Sequence, residues 1–140
     1  MTVALKRAYD KPGLADGTRI LVDRLWPRGV EKEAAHIAWW AKELAPSTAL
    51  RQWFHARPSM WGEFRTRYLE ELRAPEAQAP LEKLYSLAEG GKPVTLIFAS
   101  RDAEHNQAVV LKELLEGMRK PPTSSGPQKN ALPMRARARR

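Results

Sequence analysis

The residues best equipped for chemistry sit in one stretch, Arg19-Ile20-Leu21-Val22-Asp23-Arg24-Leu25-Trp26-Pro27-Arg28-Gly29. Asp23, Arg24, Trp26 and Arg28 fall within six positions. Guanidiniums grip phosphate or carboxylate oxygens bidentately, and an indole offers its face to a planar or cationic group. Pro27 biases Trp26 away from helix and Gly29 permits a sharp exit, so the cations ride on a stiffened loop. The competing structural account pairs Asp23 with an arginine and buries Trp26 in the core.

Two further groups can join this one. Ser47 is a good N-cap for a helix starting at Thr48, and Arg51 lies one turn into it. Ser100, Arg101 and Asn106 follow the most apolar run of the chain, where a strand, a polar loop and a helix N-terminus would make an anion site. The expected ligand-binding set is therefore Arg24, Trp26, Arg28, Ser47, Arg51, Ser100, Arg101 and Asn106. These meet on one rim if the strands before Asp23 and before Ser100 are parallel neighbours, because ligands of open α/β sheets bind beyond strand C-termini. In the structural alternative, Arg24 and Arg28 form ion pairs with Asp23, Glu43 or Asp102.

Other chemistry finds little footing. His36, His55 and His105 are the only histidines, none pairs at metal-ligand spacing, and there is no cysteine. Metal sites, cysteine nucleophiles and disulfides are accordingly not expected, and no cofactor is implied. Ser100 lies in Ala-Ser-Arg-Asp rather than a G-x-S-x-G elbow. Gly90-Gly91 precedes a strand, the wrong order for a phosphate-cradling loop. No catalytic residue is assigned.

The elements that must hold these groups follow from apolar periodicity. Val3–Arg7, Arg19–Asp23 and Val94–Ala99 read as strands, the last buried on both faces and hence central. The short, turn-rich connection Asp10–Gly17 allows a hairpin-like return between the first two, and their relative direction stays open. Glu31–Leu44 is helix-compatible through Ala35, Ile37, Trp39, Trp40 and Leu44. Helices are also expected over Thr48–His55, over Met60–Arg73 with Ser59 as cap, over Glu76–Glu89, and from Ala103 to about Met118 with Asp102 as cap. The fold class is α/β, a small, largely parallel sheet with helices packed on its faces.

The chain has 140 residues and a net charge of +8, which length makes one domain with one core. From Arg119 onward there are seven basic residues and no acid, so the body carries only +1. The high pI belongs to the tail. Residues 1–119 read as the folded domain and 120–140, rich in Pro, Ser and Arg, as a disordered basic arm. No apolar run approaches the roughly 20 residues that span a bilayer, and the N-terminus lacks a signal-peptide core, so a cytoplasmic setting is expected.

The blocks LVDRLWPRG and KELAPS…LRQWF, within a segment from about Val3 to about Met118, resemble the YeaO-like branch of the DUF488 family, a domain of unknown function. The resemblance implies a small bacterial α/β domain and carries no activity. The reading from the residues is a binding module for an anionic, phosphate-bearing ligand, a small molecule or the phosphates of nucleic acid, with the tail adding salt-dependent contact. The alternatives are a small enzyme acting on an anionic metabolite, with Asp23 or Asp102 as acid–base, and a protein-interaction domain using exposed tryptophans. Oligomeric state is not legible.

Overall fold

Four parallel strands, β1 (Val3–Arg7), β2 (Thr18–Leu21), β3 (Trp39–Trp40) and β4 (Val94–Phe98), form one sheet in the order β1-β4-β2-β3. The computed structural model describes residues 2–117, so the basic arm lies outside them. Five helices accompany the sheet: α1 (Lys32–Ala35), α2 (Thr48–Ala56), α3 (Trp61–Glu71), α4 (Pro75–Glu89) and α5 (Gln107–Gly117). No helix among the described residues is long and apolar enough to cross a membrane.

Every residue of β4 is buried, as its near-continuous apolarity suits in a strand flanked on both sides, and its one polar side chain, Thr95, donates to the Asp16 carbonyl at 2.7 Å. β1 and β2 do not form a hairpin. β4 lies between them, with Leu5 and Ile20 both opposite Leu96. The turn residues between β1 and β2 build a crossover instead, and Gly17 is essential to it. Its φ is +65°, and a Cβ there would stand 2.1 Å from the Pro93 carbonyl oxygen.

The expected helix over Glu31–Leu44 is the main departure. α1 ends after one turn because His36 takes the left-handed conformation, φ 51°. Ala38 N–H then bonds the Arg19 carbonyl at 2.8 Å and Trp39–Trp40 pair with Ile20–Leu21 as an edge strand. The apolar spacing fits a helix, but the large apolar groups are drawn onto an unfilled sheet edge. Two caps also differ. α3 starts after Met60 with no side-chain cap, so Ser59 does not serve. α5 begins at Gln107 rather than Ala103, because Asp102 caps an isolated turn and Asn106 caps the helix.

Alternation along the strands divides the sheet into two faces. Val3, Ile20, Val22, Val94, Leu96 and Phe98 join Leu50, Phe64, Tyr68, Leu84, Leu111 and Leu115 of α2–α5 in the main core. Arg19, Leu21 and Ile97 belong to the opposite face, which is covered by α1 and by the irregular chain that carries Trp26, Pro27 and Val30.

Candidate functional site at the sheet's C-terminal rim

β2 and β4 are parallel neighbours, so the loops after Val22 and after Phe98 open on the same edge of the sheet. The chain leaves β2 toward β3, whereas α5, which follows β4, packs back over β1 and β4. Opposite exits from adjacent strands make a topological switch point, where open α/β sheets place their crevices.

Asp23 ties the two loops together there. One of its carboxylate oxygens accepts the Ala99 N–H at 3.0 Å, and the other accepts the Gln107 side-chain amide. Its carbonyl accepts the Trp40 indole N–H at 2.8 Å. Burial pushes the carboxyl up to about 6, against the opposing pull of the Ala99 and Gln107 hydrogen bonds and the nearby Arg51 cation. Arg7 of β1 reaches the same loop, donating to the Ser100 carbonyl at 2.9 Å and the Ala99 carbonyl at 3.3 Å.

Arg24 turns the other way. Its Nε donates to the Pro46 carbonyl at 3.1 Å and its Nη2 to the Ala45 carbonyl at 3.2 Å. Beside it, Ser47 caps α2 through Leu50 N–H and is itself held by Glu71, which accepts from Ser47 N at 2.8 Å and Oγ at 2.6 Å. Tyr68, fully buried, donates to the Leu44 carbonyl. These side chains use their polar groups to satisfy the backbone ends of the turn Lys42–Leu44 and of α2.

The remaining candidates divide by location. Arg51 and Arg101 are exposed, with no carboxylate or carbonyl partner among the described residues; Arg51 acts on Asp23 through its charge. Ser100 is half-buried and its hydroxyl accepts from Asp102 N–H at 3.1 Å. Asn106 is buried and its amide oxygen takes the Ala108 and Val109 N–H groups at 2.9 and 3.2 Å, so α5's first donors are already engaged. Asp102 accepts from Glu104 and His105 N–H and meets the His105 ring at 3.0 Å, and these bonds, the Glu104 one foremost, hold its carboxyl below the ordinary range. Trp26 and Arg28 sit over the second face. Trp26 packs edge-on to Trp40 at 5.4 Å and donates to the Val30 carbonyl at 2.6 Å, while Arg28 is exposed and its carbonyl accepts from Tyr9. None of the ion pairs of Arg24 or Arg28 with Asp23, Glu43 or Asp102 is present among the described residues.

Two residues escaped the sequence reading. Gln107 anchors Asp23, and only its place at the helix start after β4 hinted at that. Arg19, at 4% exposure, sits on the second face of β2. Its Nη1 meets Asp16 at 2.6 Å and its Nε the Ala35 carbonyl at 2.8 Å, while Nη2 is buried with no partner. An unpaired buried donor costs about 1–3 kcal/mol. The signal was an arginine at the head of an apolar strand with an aspartate three residues earlier.

A small parallel α/β domain whose switch point is pinned by one half-buried carboxyl is thus the class the fold and rim define. The family described as "Inactive DUF488-N3 subclade" matches residues 2–131, and the chain belongs to it. Similar proteins include uncharacterised proteins of Mycobacterium bovis and Mycobacterium tuberculosis, each 41% identical over 115 residues, which is 82% of this chain and 94% of theirs. The uncharacterised protein YeaO of Escherichia coli is 39% identical over 118 residues, 84% of this chain and 100% of the relative. No solved structure matches the chain.

Proposed function

We propose that the domain is a binding module for a phosphate-bearing ligand, received on the rim where the loops after β2 and β4 meet. The observation that carries this reading is the placement of Asp23 against Ala99 and Gln107, with the Arg51 cation close enough to act on it. That arrangement fixes two loops at a switch point and leaves Arg51 and Arg101 uncommitted beside them. Arg51, Arg101 and Ser100 are the contacts; Arg24, Ser47 and Asn106 hold the backbone that carries them. Trp26 and Arg28 flank the rim from the second face.

The enzymatic alternative rests on Asp23, whose pKa of about 6 suits a general acid–base. Both of its oxygens are occupied in joining the loops, and the family's own description is an inactive subclade. Binding is therefore the better-supported function. The test is the melting temperature with and without inorganic phosphate or a mononucleotide, for the full chain and for Arg51→Ala, Arg51→Lys and Arg101→Ala. Phosphate is expected to raise the wild-type Tm. Both alanine variants should lose the rise while melting normally without ligand, and Arg51→Lys should restore little, since an ammonium lacks the bidentate fork. A wild-type melt indifferent to phosphate and to mononucleotides removes the site.

A further inference from the structure

The joint between the two rim loops is also a place where an anion and a proton meet. One Asp23 carboxylate oxygen accepts the Ala99 N–H at 3.0 Å and the other accepts the Gln107 amide. Both donors are neutral, so neither cancels the charge of the ionised carboxylate. Arg51 of α2 compensates it through space.

The joint can hold in either charge state. Ionised, the carboxylate accepts from both donors. Protonated, it keeps the Ala99 N–H on one oxygen, and its hydroxyl donates to the Gln107 amide oxygen once that amide turns over. A change of protonation therefore alters the charge at the rim without parting the loops after β2 and β4.

The groups around Asp23 single out Arg51 as the link to a ligand. Trp40 of β3 brings a neutral indole N–H to the Asp23 carbonyl. Arg7 of β1 donates to the Ala99 and Ser100 carbonyls, and Arg24 donates to those of Ala45 and Pro46. In the loop after β4, Asp102 is engaged with His105, and Arg101 is exposed. The Tyr68 phenol of α3 feels the charges of Glu71, Asp23 and Arg24, but burial pushes it well above the ordinary tyrosine value, so it keeps its proton. Arg51 is the cation whose field favours ionised Asp23. An anion seated on Arg51 cancels that field and adds a negative charge of its own. Both effects favour the protonated carboxyl.

We infer that the rim takes its anion together with a proton, which Asp23 carries. This rests on the phosphate-binding reading above and gives it a direction: the site holds oxyanions more tightly in acid than in mild base. Burial already brings the Asp23 carboxyl up to about 6, so the exchange falls near neutrality rather than in the range of an ordinary aspartate. By linkage, the factor by which protonation tightens anion binding is the factor by which the anion raises the proton affinity of Asp23.

Sulfate is the probe, because its charge stays fixed from about pH 5 to pH 8, where phosphate titrates as histidine does. Its dissociation constant for the full-length protein is read from the Arg101 backbone N–H in proton–nitrogen NMR spectra. Binding is expected to be roughly tenfold weaker near pH 7.5 than near pH 5. Asp23→Asn, neutral at every pH, should hold sulfate throughout at about the affinity that wild type shows in acid. His55→Gln and His105→Gln should keep the wild-type dependence. Proton uptake is read on the wild type alone: sulfate added to the lightly buffered protein at about pH 6.5 should raise the pH. Equal affinity at both pH values, no proton uptake, a dependence that Asp23→Asn retains, or one that a histidine variant abolishes overturns the linkage and leaves the anion site standing. Sulfate and phosphate that bind at neither pH remove the site itself, and the linkage with it.

Discussion

Two aspartates bracket β2, and they behave in opposite ways. Asp16, just before the strand, is met by Lys6 and Arg19 at 3.1 and 2.6 Å. Burial pushes its carboxyl up, but the Gly13 N–H and the two cations outweigh that and hold it below the ordinary range. Asp23, just after the strand, is half-buried among neutral donors. Burial dominates, and its carboxyl rises to about 6. The residue type is the same and the hydrogen-bond number is similar. What differs is whether the donors carry charge, since a neutral N–H stabilises a buried carboxylate less than a cation does. The N-terminal end of the strand is therefore an ion-paired brace, and the C-terminal end is a joint of neutral donors whose carboxyl keeps its proton only up to about pH 6.

The sharpest way to break this contrast is to remove the brace. Asp16→Ala leaves the Arg19 guanidinium, 4% exposed, without its carboxylate. Losing one partner of a buried pair strands the other charge, and the expected loss is about 3–5 kcal/mol by urea denaturation. A loss under about 1 kcal/mol would show that Arg19 finds other compensation and that the brace is not an ion pair in effect.

The next effect has the opposite sign. A carboxyl raised in the fold stabilises it only while protonated. Its contribution is complete below the unfolded value of 3.8 and is lost as pH rises through about 6. The difference of about 2 units corresponds to about 3 kcal/mol. Asp23→Asn keeps the shape and, with the Gln107 amide turned over, the hydrogen bond. It should therefore stabilise the protein by up to about 3 kcal/mol near pH 8 and by little near pH 3. Asp16 acts in reverse: its contribution is present above 3.8 and is lost as pH falls through its lowered folded value. Denaturation of wild type and Asp23→Asn across that range checks both signs. Equal stabilities of the two proteins at all pH would mean that Asp23 is ionised without penalty.

Much of this framework is legible in the chain. Val94–Phe98 announces a central strand, and a central strand with neighbours on both sides forces the loops after β2 and β4 together. Ser47 as the α2 cap follows from its type and place. What cannot be read is the destination of each polar group. Arg24 spends its donors on the Pro46 and Ala45 carbonyls, which lie more than twenty positions away. Asp23 finds Ala99 and Gln107, more than seventy positions away. Side-chain type sets which bonds a residue can make, but long-range packing decides which ones it does. Trp39-Trp40 failed for a related reason. Two large apolar residues satisfy a helix face or a sheet edge equally well, and the vacant edge of β2 decided between them.

The smallest effect separates the two ends most cleanly. At Asp16 the cations touch the carboxylate, whereas at Asp23 the Arg51 cation acts through space and more weakly than burial and both hydrogen bonds. Arg51 is exposed, so Arg51→Ala should leave the neutral-pH melt almost unchanged. Yet it removes a charge that favours the ionised carboxyl, and the Asp23 midpoint must move further above 6. Following the Asp23 carboxyl carbon by NMR through a pH titration reads that midpoint directly, and added salt should shrink the difference between the two proteins as the cation's field is screened. The same variant is the one expected to lose the phosphate response. If the midpoint moves but phosphate binding persists, the cation reaches the rim without serving it. An unmoved midpoint together with lost phosphate binding would put Arg51 on the ligand but too far from Asp23 to act on it, and the Asp23 joint and the anion site would then be neighbours rather than one arrangement.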